Sequence, residues 1–269
     1  MAAKQVLIFD SGVGGLSIFH EVLQKNANIN YFYLFDNAFY PYGELEDDFL
    51  IKRLTQLLLS FVNKQAIDLI VIACNSASTV ALDALRRHLP VPVVGVVPAI
   101  KPAVQLTKNG VIGLLATPAT IKRDYTSLLI TEFAENVEVL KIGSTELVNL
   151  AEEKLQGIEV DQKRLEKIFT PWLALRDKPD TLVLGCTHFP LLKDEIARCF
   201  QHTVQLVDSG KAIANRVYQL LGEQSAGQFP NQQRAYYTKP IPGEKLSALR
   251  ASFLAYGFTS LDYYALGII

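Results

Sequence analysis

Two stretches of the chain, residues 69–79 (LIVIACNSAST) and 181–191 (TLVLGCTHFPL), each run a β-branched apolar strand directly into a cysteine followed by small polar residues. The chain carries the same device twice, and in open α/β sheets ligands bind outside the carboxyl ends of the strands. Cys74 and Cys186 are thereby placed where such folds carry out chemistry.

Other strand-like runs, at residues 6–9, 31–35 and 92–96, and then at 110–115, 137–142 and 203–207, alternate with helical patterns. The clearest helical pattern covers residues 46–64, where Leu50, Leu54, Leu57, Leu58 and Phe61 recur on one face. Regular alternation predicts βαβ units and a mainly parallel sheet in each half. The halves also echo one another. Leu7-Ile8-Phe9-Asp10-Ser11 resembles Gly113-Leu114-Leu115-Ala116-Thr117 at an offset of 106, and the two cysteines stand 112 residues apart. We therefore expect two pseudo-symmetric α/β domains derived from one duplicated unit, with small loop insertions between the copies. Pro90, Pro92, Pro98 and Pro102 place the crossover near residue 98. The expected division is 1–97 with 208–269 as a discontinuous first domain and 98–207 as the second. Residues 211–221 read as a helix, 222–233 as an exposed loop, and the last segment as returning to the first domain.

At 269 residues, 49% hydrophobic and 20% charged, the chain has the balance of a folded globular protein. Lysine and arginine number 26 against 27 acidic residues, so the electrostatic footprint of a general nucleic-acid binder is absent. The chain enters a strand at residue 6 without a signal-peptide core. No run reaches the roughly 18 apolar residues of a membrane span. Three cysteines without CxxC spacing form no disulfide framework and suit a reducing compartment, so a cytoplasmic location is expected.

Cys74 precedes Asn75, Ser76 and Ser78 and a helical pattern over residues 79–88, and a thiol at a helix start has its thiolate favoured. Cys186 has the same setting with Thr187 and His188. A small buried residue at a strand end is the competing reading of each. Cys199 lies inside a helical pattern and reads as core, and His20, His88 and His202 as solvated or capping residues. No pair of ligands at metal spacing accompanies the Cys-Thr-His triplet, so no metal site is expected. Asp10-Ser11-Gly12-Val13-Gly14-Gly15 closes the first strand, with glycines that let backbone amides approach an anion. Gly12-x-Gly14-x-x-Ser17, with Asp36 ending the second strand, also imitates a dinucleotide fingerprint. That alternative puts Ser17 where glycine or alanine belongs, lets Asp10 crowd a pyrophosphate, and leaves both cysteine segments unexplained.

Across essentially its whole length the sequence resembles the cofactor-independent aspartate/glutamate racemase family. The carriers are Phe9-Asp10-Ser11-Gly12-x-Gly14-Gly15, Pro41-Tyr42-Gly43, Ala73-Cys74-Asn75-Ser76 and Gly185-Cys186-Thr187-His188-Phe189-Pro190. The last segment and the Pro-Tyr-Gly turn are similar to the glutamate branch rather than to aspartate or hydantoin racemases. The resemblance implies two similar α/β domains with glutamate enclosed between them and no cofactor. It implies that Cys74 and Cys186 are the acid/base pair, with Asp10 and His188 as their helpers. It further implies substrate contacts from Asp10, Ser11, Pro41, Tyr42, Gly43, Asn75, Ser76, Thr187 and His188, extended by Thr117 and Thr120, and auxiliary roles for Asp36 and Glu152. One thiolate would remove the α-proton and the opposite thiol would protonate the other face, without the electron sink of pyridoxal phosphate. The implied role is supply of D-glutamate for peptidoglycan in a bacterial cytoplasm. Some family members respond to a cell-wall precursor, in some through an N-terminal extension. With nine residues before Asp10, such an extension is expected to be absent here, and regulation by a cell-wall precursor through another surface is left open. Self-association as a homodimer is left open.

Overall fold

The computed structural model describes residues 3–224 and 231–266. It divides into two units, Met1–Val96 with Gly210–Ile269 and Val97–Ser209. In the first, the chain runs β1 (Gln5–Asp10), α1 (Leu16–Lys25), β2 (Asn30–Phe35), a 3₁₀ turn (Tyr42–Glu44), α2 (Asp47–Lys64), β3 (Leu69–Ile72), α3 (Asn75–His88) and β4 (Val93–Gly95). The second unit contributes α4 (Ile100–Leu106), β5 (Val111–Ala116), α5 (Pro118–Lys122), α6 (Asp124–Phe133), β6 (Glu138–Gly143), α7 (Thr145–Leu155), α8 (Gln162–Leu173), β7 (Thr181–Leu184), a 3₁₀ turn (Phe189–Leu192), α9 (Lys193–Cys199) and β8 (Gln205–Val207). The chain then rejoins the first unit with α10 (Gly210–Leu221), β9 (Gln233–Tyr237), α11 (Gly243–Ala255) and β10 (Ser260–Tyr263). At the crossing points the Ser209 hydroxyl donates to the Val97 carbonyl.

The first unit holds a six-stranded sheet in the order β10-β9-β2-β1-β3-β4, and every pairing in it is parallel. The second holds a four-stranded parallel sheet in the order β6-β5-β7-β8. Renumbered from its own first strand, this is the order β2-β1-β3-β4, so the two sheets share one topology at their core. Cys74 stands two residues past β3 and Cys186 two residues past β7, the corresponding strand.

Burial follows the sequence pattern. The α2 residues Leu50, Leu54, Leu57, Leu58 and Phe61 are fully buried and pack with Leu7, Phe9, Ile70 and Ile72 of the sheet. Each such side chain contributes roughly 1.5–3 kcal/mol of transfer free energy. Among the described residues no helix is long and apolar enough to cross a membrane.

Three features differ from the sequence reading. The helix after Cys74 begins at Asn75 rather than residue 79, because the small polar run supplies the first turn itself. After Cys186 the chain makes a 3₁₀ turn before α9, since Pro190 enters within the first turn. Finally, β9 and β10 extend the first sheet where the apolar pattern predicts no strand. Of the loop expected over 222–233, residues 225–230 lie outside the described residues.

Candidate active site

The first strand of the first unit ends in Asp10, which is fully buried. Its carboxylate accepts from the Ser11 amide at 2.6 Å and from the Gly15 amide. The turn tightens so closely around it that a Cβ at Gly15 would lie 2.8 Å from the Tyr33 hydroxyl and 3.0 Å from Asp10, so only glycine fits. Ser11 Oγ lies 3.3 Å from Asp10 Oδ1, to which it donates, and 3.7 Å from Cys74 Sγ. Asp10, Ser11 and Cys74 thus form a two-link chain from carboxylate to thiol.

Cys74 is the residue that precedes α3, in extended conformation, and its carbonyl accepts the helix's first return bond, from Ser78 at 2.9 Å. The positive end of the α3 dipole therefore faces the thiol. Asn75 and Ser76 form the first turn and are both buried. Among the described residues Asn75 Oδ1 is a buried acceptor without a hydrogen-bond partner. Buried acceptors are rarely left so.

Tyr42 of the first 3₁₀ turn is 1% exposed and belongs to the same apolar cluster as Cys74. Burial, and then the neighbouring Asp36 carboxylate, push the Tyr42 phenol well above its ordinary pKa. Tyr42 donates to Asp36 Oδ2 at 2.7 Å, while Arg53 of α2 grips the same carboxylate through Nε at 2.9 Å and Nη2 at 2.8 Å. Asp36 is therefore engaged, as is Asp10 with the loop amides. A dinucleotide reading needs those amides for a pyrophosphate and Asp36 for a ribose, and the structure commits both elsewhere.

The second unit repeats the plan with different residues. Past β5, Thr117 caps α5, its hydroxyl accepting from the Thr120 amide at 3.3 Å and lying 3.0 Å from Thr120 Oγ1. Ala116 occupies the place that Asp10 has in the first unit, so no carboxylate stands at this strand end. The thiol partner comes from elsewhere: His188 Nδ1 lies 3.7 Å from Cys186 Sγ, and His188 Nε2 lies 2.8 Å from Glu152 Oε1 on α7. Cys186, Thr187 and His188 are all buried. Burial drives the His188 pKa down, but hydrogen bonds and charge from Cys186 and Glu152 outweigh it and hold the pKa well above the ordinary value. A second carboxylate-to-thiol chain results, Glu152–His188–Cys186.

Cys199 has neither setting. Its thiol lies 3.4 Å from the Glu195 carbonyl, to which it donates, and burial, then the charge of Glu166, push its pKa up to about 11. His88 bonds the Ala84 carbonyl and His20 an exposed Gln24 side chain. Arg53 and Thr238, which hold Asp36, escape the sequence reading. A cation one place before Leu54 looks like part of a solvated face, and Thr238 follows a strand that no apolar run marks.

Comparison with known proteins gives the family. The family model described as Asp/Glu/Hydantoin racemase matches residues 19–217. Two glutamate racemases are similar over nearly the full length: that of Vibrio vulnificus strain YJ016 is 51% identical, covering 97% of each chain. That of Vibrio cholerae is 52% identical over 96% of this chain and 95% of its own. The crystal structure of Escherichia coli glutamate racemase in complex with L-glutamate and the activator UDP-MurNAc-Ala superposes with a TM-score of 0.92, at 43% identity, covering 98% of this chain and 99% of that one. The Francisella tularensis enzyme, solved in complex with D-glutamate, gives 0.79 at 28% identity over 98% of each chain. Twin parallel-sheet α/β domains are the fold of these racemases, and this chain belongs to the Asp/Glu/hydantoin racemase family. Within that family its near-full-length relatives are the glutamate racemases, and it is an isomerase of that branch.

Proposed function

We propose that this enzyme interconverts L- and D-glutamate without a cofactor, with Cys74 and Cys186 as the two acid/base groups acting on opposite faces of one Cα. The observation that carries this reading is the pair of buried thiols, each past the corresponding strand and each backed by its own carboxylate, Asp10 through Ser11 and Glu152 through His188. Starting from D-glutamate, the Cys74 thiolate takes the α-proton. The S–H bond forms as the Cα–H bond breaks, and the electron pair stays on the carbon and its carboxylate. The Cys186 thiol then delivers its proton to the other face, and the reverse reaction exchanges the roles. A free thiol ionises at roughly pH 8.5, and a tenfold change in its ratio of thiolate to thiol takes only about 1.4 kcal/mol, so modest local support selects which sulfur is the base.

Hydrogen bonds to the substrate carboxylate stabilise charge that develops as the proton leaves. Ser11, Ser76, Thr117, Thr120 and Thr187 supply hydroxyls, and Pro41, Tyr42 and Gly43 supply a turn beside Cys74. Asn75 Oδ1, an acceptor without a hydrogen-bond partner among the described residues, suits the substrate ammonium. The product D-glutamate serves peptidoglycan synthesis in the cytoplasm. A cell-wall precursor of the kind named as activator of the Escherichia coli enzyme is the proposed regulator, supported by similarity over nearly all of both chains.

The test is chiral analysis of purified protein with L-glutamate and separately with L-aspartate, in deuterated water and without added cofactor. D-Glutamate carrying solvent deuterium at Cα is expected, with aspartate turned over far more slowly. Cys74→Ala and Cys186→Ala should each lower turnover at least about 100-fold in both directions, the scale of a lost acid/base group. Cys199→Ser should leave turnover near native. A single alanine variant that racemises at the native rate in either direction would refute the two-thiol mechanism.

A further inference from the structure

We infer that Arg53 and Thr238 are positioning residues for the substrate-side turn at residues 41–43, acting through the Asp36 carboxylate; this inference rests on the racemase reading above. Asp36 is fully buried at the end of β2, and a carboxylate removed from water persists only when paired and hydrogen-bonded. Among the described residues four donors saturate it. Oδ1 accepts from Arg53 Nη2 at 2.8 Å and Thr238 Oγ1 at 2.5 Å, and Oδ2 from Arg53 Nε at 2.9 Å and the Tyr42 hydroxyl at 2.7 Å. So saturated, Asp36 is placed as an anchor rather than as an acid or a ligand.

The anchor joins four separate pieces of chain: the end of β2, the turn carrying Tyr42, the buried side of α2 and the residue after β9. Each piece is tied a second time. Asn37 Oδ1 accepts from the Thr238 and Lys239 amides, both at 2.9 Å, and Asn37 Nδ2 donates to the Lys239 carbonyl at 2.8 Å. The Arg53 guanidinium lies 4.7 Å from the Phe39 ring, which leads into the turn. The Arg53 side chain is 12% exposed, and the planar fork that makes both contacts to Asp36 is a geometry lysine lacks. Tyr42 is pinned at its hydroxyl by Asp36 while its ring packs 6.3 Å from Phe9, in the cluster that includes Cys74. Holding the phenol at Asp36 fixes the ring, and with it the backbone of residues 41–43, against the cluster that includes Cys74.

Loosening this anchor releases the turn without touching either sulfur, so binding should suffer more than the proton transfers. We expect Arg53→Ala to raise KM for both enantiomers about tenfold or more while kcat stays within about threefold. Arg53→Lys, which keeps the charge and loses the fork, should fall between wild type and alanine. Thr238→Val, which removes one of the four donors, should raise KM by roughly two- to fivefold. Circular dichroism melts report folding for each variant. If Arg53→Ala does not fold, the lysine and valine variants decide. Wild-type KM in both of them, whatever their melting temperatures, overturns the positioning inference, as does a fall in kcat at unchanged KM. Absence of racemisation by the wild-type enzyme would instead overturn the reading on which the inference stands.

Discussion

At the scale of single residues, the two thiols are matched but their supports are not. Asp10 reaches Cys74 through a serine, whereas Glu152 reaches Cys186 through a histidine that is itself titratable. His188 holds its proton well above the ordinary histidine pKa, despite burial, through Cys186 and Glu152. A group whose folded pKa is raised binds its proton more tightly in the folded state. Its contribution to stability is therefore complete below the unfolded value of about 6.5 and is lost as pH rises through the folded value. Glu152→Gln should lower the His188 titration midpoint, followed by the ring proton resonances, and flatten the loss of stability on the alkaline side. A wild-type His188 that titrates at or below about 6.5 would refute this. The strand-end cysteines and Asp10 were legible in the sequence because apolar runs announce where a strand stops. The partners of Asp36 were not, because Arg53 and Thr238 are brought to it by tertiary packing from 17 and 202 positions away.

At the scale of elements, the strands of both four-strand cores were readable and the two strands that the end of the chain adds to the first sheet were not. β1, β3, β5 and β7 are buried along almost their whole length, so composition alone marks them. β9 and β10, with the sequences QRAYY and SLDY, mix buried and exposed positions at the sheet margin and carry charge. Short polar segments of this kind form strands only because β2 offers an open edge for β9, and β9 in turn for β10. Gly113 in β5 of the second unit is tightly enclosed: a Cβ there would lie 2.7 Å from two ring carbons of Trp172 on α8 and 2.8 Å from Leu182. Gly113→Ala should cost about 1–3 kcal/mol by overpacking, read as a lower midpoint in urea or thermal melts. An unchanged midpoint would mean that the Trp172 ring can move aside without loss.

At the scale of the whole molecule, one four-strand order appears twice, and the first sheet then gains two strands from the end of the chain. The repeat was legible from the offsets between matching segments; the added strands were not, for the reason just given. Where the chain leaves the first unit and where it comes back, Ser209 and Val97 are held together by a hydrogen bond. The entire excursion between them is consequently a closed detour whose entrance and exit are the same doorway. A shortened polypeptide that bridges Val96 directly to Gly210 with a few glycines should still fold into the six-stranded body, since insertions with adjacent ends are dispensable to their hosts. Its far-ultraviolet spectrum should be that of a mixed α/β protein and its melt cooperative, whereas a featureless melt would show that the host needs its guest.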